Sequence, residues 1–292
     1  MSRSTLSGAN GTSQLNGRAE VLEASRLIDA RPRKHKVDEV ELVRLRKERM
    51  MVRILGTQPF IFHRLGVDLS LLGVGPDRNN EQYKKTHLKS DLVKEFKDST
   101  IMLPEGDTLL VVEAKMLKAC IRCAALDTED TTKAEIGRLV YVPGDYMSIY
   151  GIPKMFIRNI RNSGMNRTPG VRSRAIMAEW GVEFPIEFST PRISASKIFS
   201  LLANGGISNG IGDFRPQKGA GSYGQFEIYD DTNLEHKRRW ENLVKTGSRQ
   251  QQIKAMNLAE PYDVESTEFI TAFMEGVKAL GKEKLLDHTV IK

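Results

Sequence analysis

The chain has 292 residues, of which 40% are hydrophobic and 28% charged, enough for one large or two ordinary globular domains. A formal net charge of +7 suits a polyanionic partner. No run of about 18 apolar residues and no apolar signal core occur, so neither a membrane span nor secretion is expected, and a cytoplasmic location is.

Residues 1–36 read as a flexible basic arm. The stretch MSRSTLSGANGTSQLNG has nothing with which to build a core. The cluster ARPRKHK suits either an electrostatic arm or a solvated linker. Residues 37–230 read as the core. A mixed-face strand over Met51–Leu55 ends at Gly56-Thr57-Gln58-Pro59 and is followed by His63. A charged helix is expected over Glu81–Lys97. A stronger one covers Ala114–Leu126, where Leu117, Cys120, Ile121, Ala124 and Ala125 share a face. The two cysteines, Cys120 and Cys123, have CxxC spacing. They lie inside this helix pattern with no second pair, so a core role is expected rather than zinc or redox chemistry.

Strands are expected at Leu139–Val142 and Met155–Ile160. From Arg158 to Arg174 the chain holds five arginines and no acid. Gly164, Pro169 and Gly170 predict that this insertion stays out of helix and sheet, as a loop of one charge sign that calls for an anion. Ala178–Phe188 alternates strictly, with Trp180, Val182, Phe184, Ile186 and Phe188 on one face and Pro185 suggesting an edge or a bulge. Ser194 is the expected N-cap of a helix over Ala195–Asn204, with Gly205 at its C′ position. A closing strand is expected over Tyr223–Tyr229. Residues 231–292 read as a helical extension, including an amphipathic helix over Ser266–Leu280, that docks on the core or on a neighbouring subunit.

The glycine-rich stretch 204–224 organises this reading. Seven glycines fall between Asn204 and Ile228, with Arg215 and Lys218 among them. Bare backbone beside cations suits phosphate. The element order gives an α+β chain with a ferredoxin-like, RRM-like β-α-β-β-α-β core. Gly210-Ile211-Gly212, then Arg215 and Lys218, then Gly221-Ser222-Tyr223-Gly224 resemble the glycine-rich loop of the RAMP superfamily, the RNA-binding proteins of CRISPR effector complexes. The GIGDxRPxK…GxFE pattern also resembles a group of phage proteins. The resemblance implies a non-catalytic protein that binds single-stranded nucleic acid, RNA or DNA, and assembles as a homo-oligomer along it. The sheet lacks the aromatic signature for base stacking. Contacts are therefore expected to phosphates, through Arg158, Arg161, Arg167, Arg172, Arg174, Arg215 and Lys218 and the loop at Gly219, Gly221 and Tyr223. Alternatives are a phage structural or assembly protein, or an endoribonuclease using His63 or Tyr223. No P-loop, HExxH or GxSxG motif is present, and no cofactor or metal is expected.

Overall fold

Alternating apolar residues bury one face of the strand over Gly181–Thr190, and the side chains of Asp91, Thr132, Ser194, Asn233 and Asp263 cap the starts of five helices. The computed structural model describes residues 44–64, 88, 90–161, 169–219, 221–286 and 288–292. The chain divides into two compact units, Met1–Arg44 and Leu45–Lys292. The expected basic arm, 1–36, lies outside the described residues. The second unit runs β1 (Arg46–Gly56), β2 (Phe60–Ile61), α1 (Leu92–Asp98), β3 (Ile101–Met102), β4 (Leu110–Glu113), α2 (Ala114–Ala124), α3 (Lys133–Leu139), β5 (Val140–Tyr141), β6 (Tyr146–Tyr150), β7 (Pro153–Arg161), β8 (Pro169–Met177), β9 (Gly181–Thr190), α4 (Ala195–Ser208), β10 (Phe226–Ile228), α5 (Leu234–Thr246), α6 (Arg249–Leu258) and α7 (Val264–Ala279). Helices and antiparallel sheets make it an α+β chain.

The larger sheet has the order β10-β1-β9-β6-β4-β3, with β5 also paired to β9. Val182, Phe184, Ile186 and Phe188 of β9 are buried, opposite Ile54, Val52, Met50 and Glu48 of β1. Pro185 is in a central strand rather than an edge strand, at a stretch of β9 that pairs with β1 alone. Gly56 N–H donates to Trp180 O, so the even-numbered residues of β1 exchange hydrogen bonds with β9. Pro185 stands opposite Met51, in a pair that exchanges none. Its other side falls between the stretches paired with β6 and β5, so the missing N–H breaks no ladder.

Helices α2 and α4 pack on one face of this sheet. Cys120 is buried between them, and burial pushes its thiol up to about 12, which makes it an inert core group. Helix α4 does not stop at Asn204, and Gly205 is not its C′ residue. The helix continues to Ser208 with Asn209 as its C-cap. Gly205 and Gly206 are inside it because there is no room for side chains. A Cβ on Gly205 would stand 3.1 Å from Cys120 Sγ, and one on Gly206 only 2.1 Å from Phe226 O.

Other boundaries shift for local reasons. Helix α1 starts at Leu92, where the Asp91 carboxylate accepts from Val93 N and Lys94 N, both at 3.0 Å. Residues 81–87 of the expected charged helix lie outside the described residues. Thr132 caps α3, which takes Leu139 out of the expected strand. The closing strand shortens to Phe226–Ile228.

The C-terminal helices dock on the core. Trp240 and Leu243 of α5 pack with Leu55 and Tyr150. Gln252 of α6 is fully buried. Its Oε1 accepts from Leu109 N and Leu110 N, at 3.0 and 2.9 Å, and its Nε2 donates to Ile149 O and Gly151 O, at 2.8 and 3.1 Å. Among the described residues no helix is long and apolar enough to cross a membrane.

Candidate functional site

The arginine-rich insertion is largely sheet. Strands β7 and β8 form an antiparallel pair in which Arg158 faces Arg172, Phe156 faces Arg174 and Arg161 faces Pro169. Pro169 and Gly170 were expected to exclude sheet, yet both are in β8. Residues 162–168, with Arg167, lie outside the described residues. With β2 these strands make a second, three-stranded sheet of order β2-β8-β7.

The period of two sorts the hairpin into unlike faces. One face puts Met155, Ile157, Ala175 and Met177 into the main core. The other carries Phe156, Arg158, Arg172, Arg174 and Ile176. On this second face Ile61, Phe156 and Ile176 are buried under the half-exposed rings of Phe214, Tyr223 and Tyr262. Phe156 has ring centroids at 6.1 Å from Tyr223 and 6.0 Å from Tyr262. The glycine-rich loop delivers Phe214 and Tyr223, and the α6–α7 connection delivers Tyr262. That connection is fixed to the β7 edge: Met155 N–H donates to Glu260 O at 2.7 Å and Tyr262 N–H to Met155 O at 2.8 Å.

Three arginines share this face in three electrostatic states. Arg158 lies 4.0 Å over the Phe156 ring and forks onto both oxygens of Asp263, with Nε 3.2 Å from Glu265 Oε2. Asp263 also caps α7, accepting from Ser266 N at 2.9 Å. The Arg158 hydrogen bond, more than these others, holds the Asp263 carboxyl at about 2, and in return raises Arg158. Arg174 is 5.4 Å over the Phe214 ring and pairs with Asp213. Asp213 Oδ2 is also 3.4 Å from His63 Nδ1. Arg172 is exposed and has no ion-pair or hydrogen-bond partner among the described residues. Phe214 has φ +51°, a conformation that bulky side chains avoid, and its carbonyl accepts from Tyr223 N at 3.3 Å.

The expected loop cations sit elsewhere. Arg215 precedes a 3-10 turn at Pro216–Lys218. Its guanidinium is spent within the loop, on Gly212 O at 2.9 Å and on Gln217 Oε1 at 3.1 Å. Gln217 in turn reaches Cys123 Sγ of α2. Lys218 is exposed and unpaired among the described residues, and no contact joins Arg215 or Lys218 to the hairpin arginines. Loop amides are mostly engaged. Ile211 N–H donates to Gly224 O at 2.9 Å, Asp213 N–H to Ile61 O at 3.0 Å, Gly219 N–H to Pro216 O at 2.8 Å and Gly224 N–H to Pro59 O at 2.8 Å. Gly219, at φ +65°, caps the turn in open space. Gly221 is needed because a Cβ there would stand 2.5 Å from Phe214 O.

Of the expected residues, the structure therefore brings Arg158, Arg172, Arg174 and Tyr223 to one surface. Arg161 is on β7, and among the described residues no contact joins Arg215, Lys218 or Gly219 to the hairpin arginines. Sequence reasoning missed Phe156, Phe214, Tyr262, Asp213, Asp263 and Glu265. Asp213 was visible as the acid of the GIGDxRPxK pattern, and Asp263 as a cap three residues before Ser266. A separate concavity of about 290 Å³ at the start of α2 sets Lys115 and Lys118 against Glu113 and Asp145, so it offers an anion no net charge. Among the described residues no group of His, Cys, Asp and Glu could hold a metal ion. No protein-family model and no curated protein matches the chain.

Proposed function

We propose that the chain is a non-catalytic protein that binds single-stranded nucleic acid on the arginine and aromatic face of the β7–β8 hairpin. The observation that carries this reading is Arg172. It is an exposed guanidinium without a partner among the described residues, on the same face as Arg158 and Arg174 and beside the Phe214, Tyr223 and Tyr262 rings. A phosphate bound to Arg172 replaces water without breaking an internal ion pair. Arg158 and Arg174 are held by Asp263, Glu265 and Asp213, so their charges are offset within the face and Arg172 is the cation left over. The partly buried Tyr223 and Tyr262 rings are the proposed stacking surface for unstacked bases, which favours a single strand over a duplex.

The fold supports the same reading in finer detail. The run β10-β1-β9-β6, with α2 between β1 and β6 and α4 between β9 and β10, is the antiparallel order expected of a ferredoxin-like unit. Likeness to the RAMP superfamily, and assembly of several copies along one strand, belong to this proposal. Filter binding of a labelled 30-nucleotide single strand, as RNA and as DNA, tests it. Retention at low salt that falls by about tenfold or more over a fewfold rise in salt is expected. No retention of either strand at low salt contradicts it.

A second reading is favoured by one contact. His63 is half-exposed with Nδ1 turned to Asp213, an arrangement that leaves Nε2 open for proton transfer in RNA cleavage. Asp213 is already committed to Arg174, which weakens its hold on His63. Cleavage of a labelled RNA by the wild-type chain and not by His63→Ala establishes this reading. Intact RNA with both proteins removes it.

A further inference from the structure

Strand β1 has one edge that is only partly used. Its even-numbered residues bond to β9, so its odd-numbered residues turn N–H and C=O to the opposite edge. Strand β10 covers that edge from Ile54 to Gly56, and Tyr229 N–H takes Arg53 O at 2.9 Å. Upstream, the outward groups of Lys47, Arg49 and Met51 have no backbone partner among the described residues. Arg46, Lys47, Glu48, Arg49 and Met51 are all exposed, Met51 by 57%. An open edge of this kind is a template for another strand.

We propose that this edge of β1, at Lys47–Met51, is a strand-addition site for an extended acidic segment of a partner protein. The outward groups alternate N–H and C=O at the repeat of a peptide backbone, which a nucleic-acid strand does not match. Their flanking side chains choose the partner. On the face of Lys47 and Arg49 the neighbouring strand β9 contributes Ser189 and Glu187, and on the other face Arg46 flanks Glu48. Three cations thus meet two carboxylates, and none of Arg46, Lys47, Glu48 and Arg49 is in an ion pair among the described residues. A second copy fits poorly, because antiparallel self-pairing centred on Arg49 sets that guanidinium against its own copy. An acidic strand meets Lys47 and Arg49 with opposite charge and can place an apolar residue beside Met51. This site is distinct from the hairpin face, so its test is independent of nucleic-acid binding.

The full-length chain is titrated against a fluorescein-labelled peptide of alternating glutamate and valine, followed by anisotropy. A lysine–valine peptide and an acidic peptide N-methylated at alternate residues serve as comparisons. The acidic peptide is expected to bind and the other two are not. Lys47→Glu with Arg49→Glu should weaken the acidic peptide about tenfold or more and bring in the lysine peptide. Arg49→Pro, which removes one outward N–H and leaves the β9 ladder intact, should weaken binding while the circular dichroism stays that of wild type. Three results overturn the proposal: no binding of the acidic peptide to folded protein; equal binding of its N-methylated form; or concentration-dependent self-association that Arg49→Pro abolishes, which makes a second copy the occupant.

Discussion

The glycine-rich loop and the arginine hairpin look alike in sequence, since each sets isolated cations among small residues and turn formers. They differ in what satisfies them. The loop is closed by backbone: its amides donate to Gly224 and Pro216 carbonyls within it and to Ile61 and Pro59 carbonyls of the β1–β2 segment, and Arg215 is folded back on Gly212 O. The hairpin satisfies its backbone in a regular ladder, which leaves its side chains to face outward. Glycine density marks close approach of one chain segment to another, whereas capacity for an external anion rests with the side chain that internal partners leave over. On the hairpin the proposed side chain is Arg172, and on the loop only Lys218 is left unpaired among the described residues.

The comparison is sharpened most by Gly224→Ala. A Cβ there would stand 1.7 Å from Ile211 O, on a backbone already at φ +71°. A loss of about 3 kcal/mol or more in urea unfolding is expected. If stability is retained and nucleic-acid affinity alone falls, the loop is the ligand site and the assignment reverses.

Next is Asp263→Asn, which removes the fork on Arg158 and weakens the α7 cap. About 1–2 kcal/mol of stability should be lost near neutral pH, with a few-fold gain in affinity for a single strand as Arg158 is released. The pH dependence has a definite sign. The folded carboxyl is held at about 2 against an ordinary 3.8, so its contribution is complete above about pH 4 and is lost as pH falls towards 2. Urea midpoints from pH 5 to pH 2 should fall more steeply for wild type than for Asp263→Asn. Parallel curves contradict the Arg158–Asp263 clamp.

Arg172→Ala should leave stability within about 0.5 kcal/mol of wild type while weakening single-strand binding several-fold. The double variant Arg215→Ala with Lys218→Ala should have the smallest effect on affinity, because one guanidinium is internally engaged and the other cation makes no contact with the hairpin among the described residues. A larger loss in the double variant than in Arg172→Ala restores the loop as the phosphate site.

Much of this was legible in the sequence where one period dominates. The alternation from Trp180 to Phe188 and the apolar stripe of Leu117, Cys120, Ile121 and Ala124 are local signals, and both became buried faces. Helix α4 was read too short because Gly205 and Gly206 are strong breakers taken alone. Their reason for being helical is the nearness of Cys120 and Phe226, which is tertiary. Met155–Ile160 was read correctly as a strand, but the β8 half of the hairpin was read as a loop because Pro169 and Gly170 outweighed the alternation of Arg172, Arg174 and Ile176 against Ser173, Ala175 and Met177. The charge of Arg158 and Arg174 was read as free because their partners, Asp263 and Asp213, are 105 and 39 residues away.

The measurement closest to the central claim is the slope of log affinity against log salt for one labelled single strand, taken for wild type and for Arg172→Ala. A phosphate contact through Arg172 predicts that the variant's slope is shallower by about 0.7, the value for one contact to a single strand. Equal slopes for the two proteins contradict it.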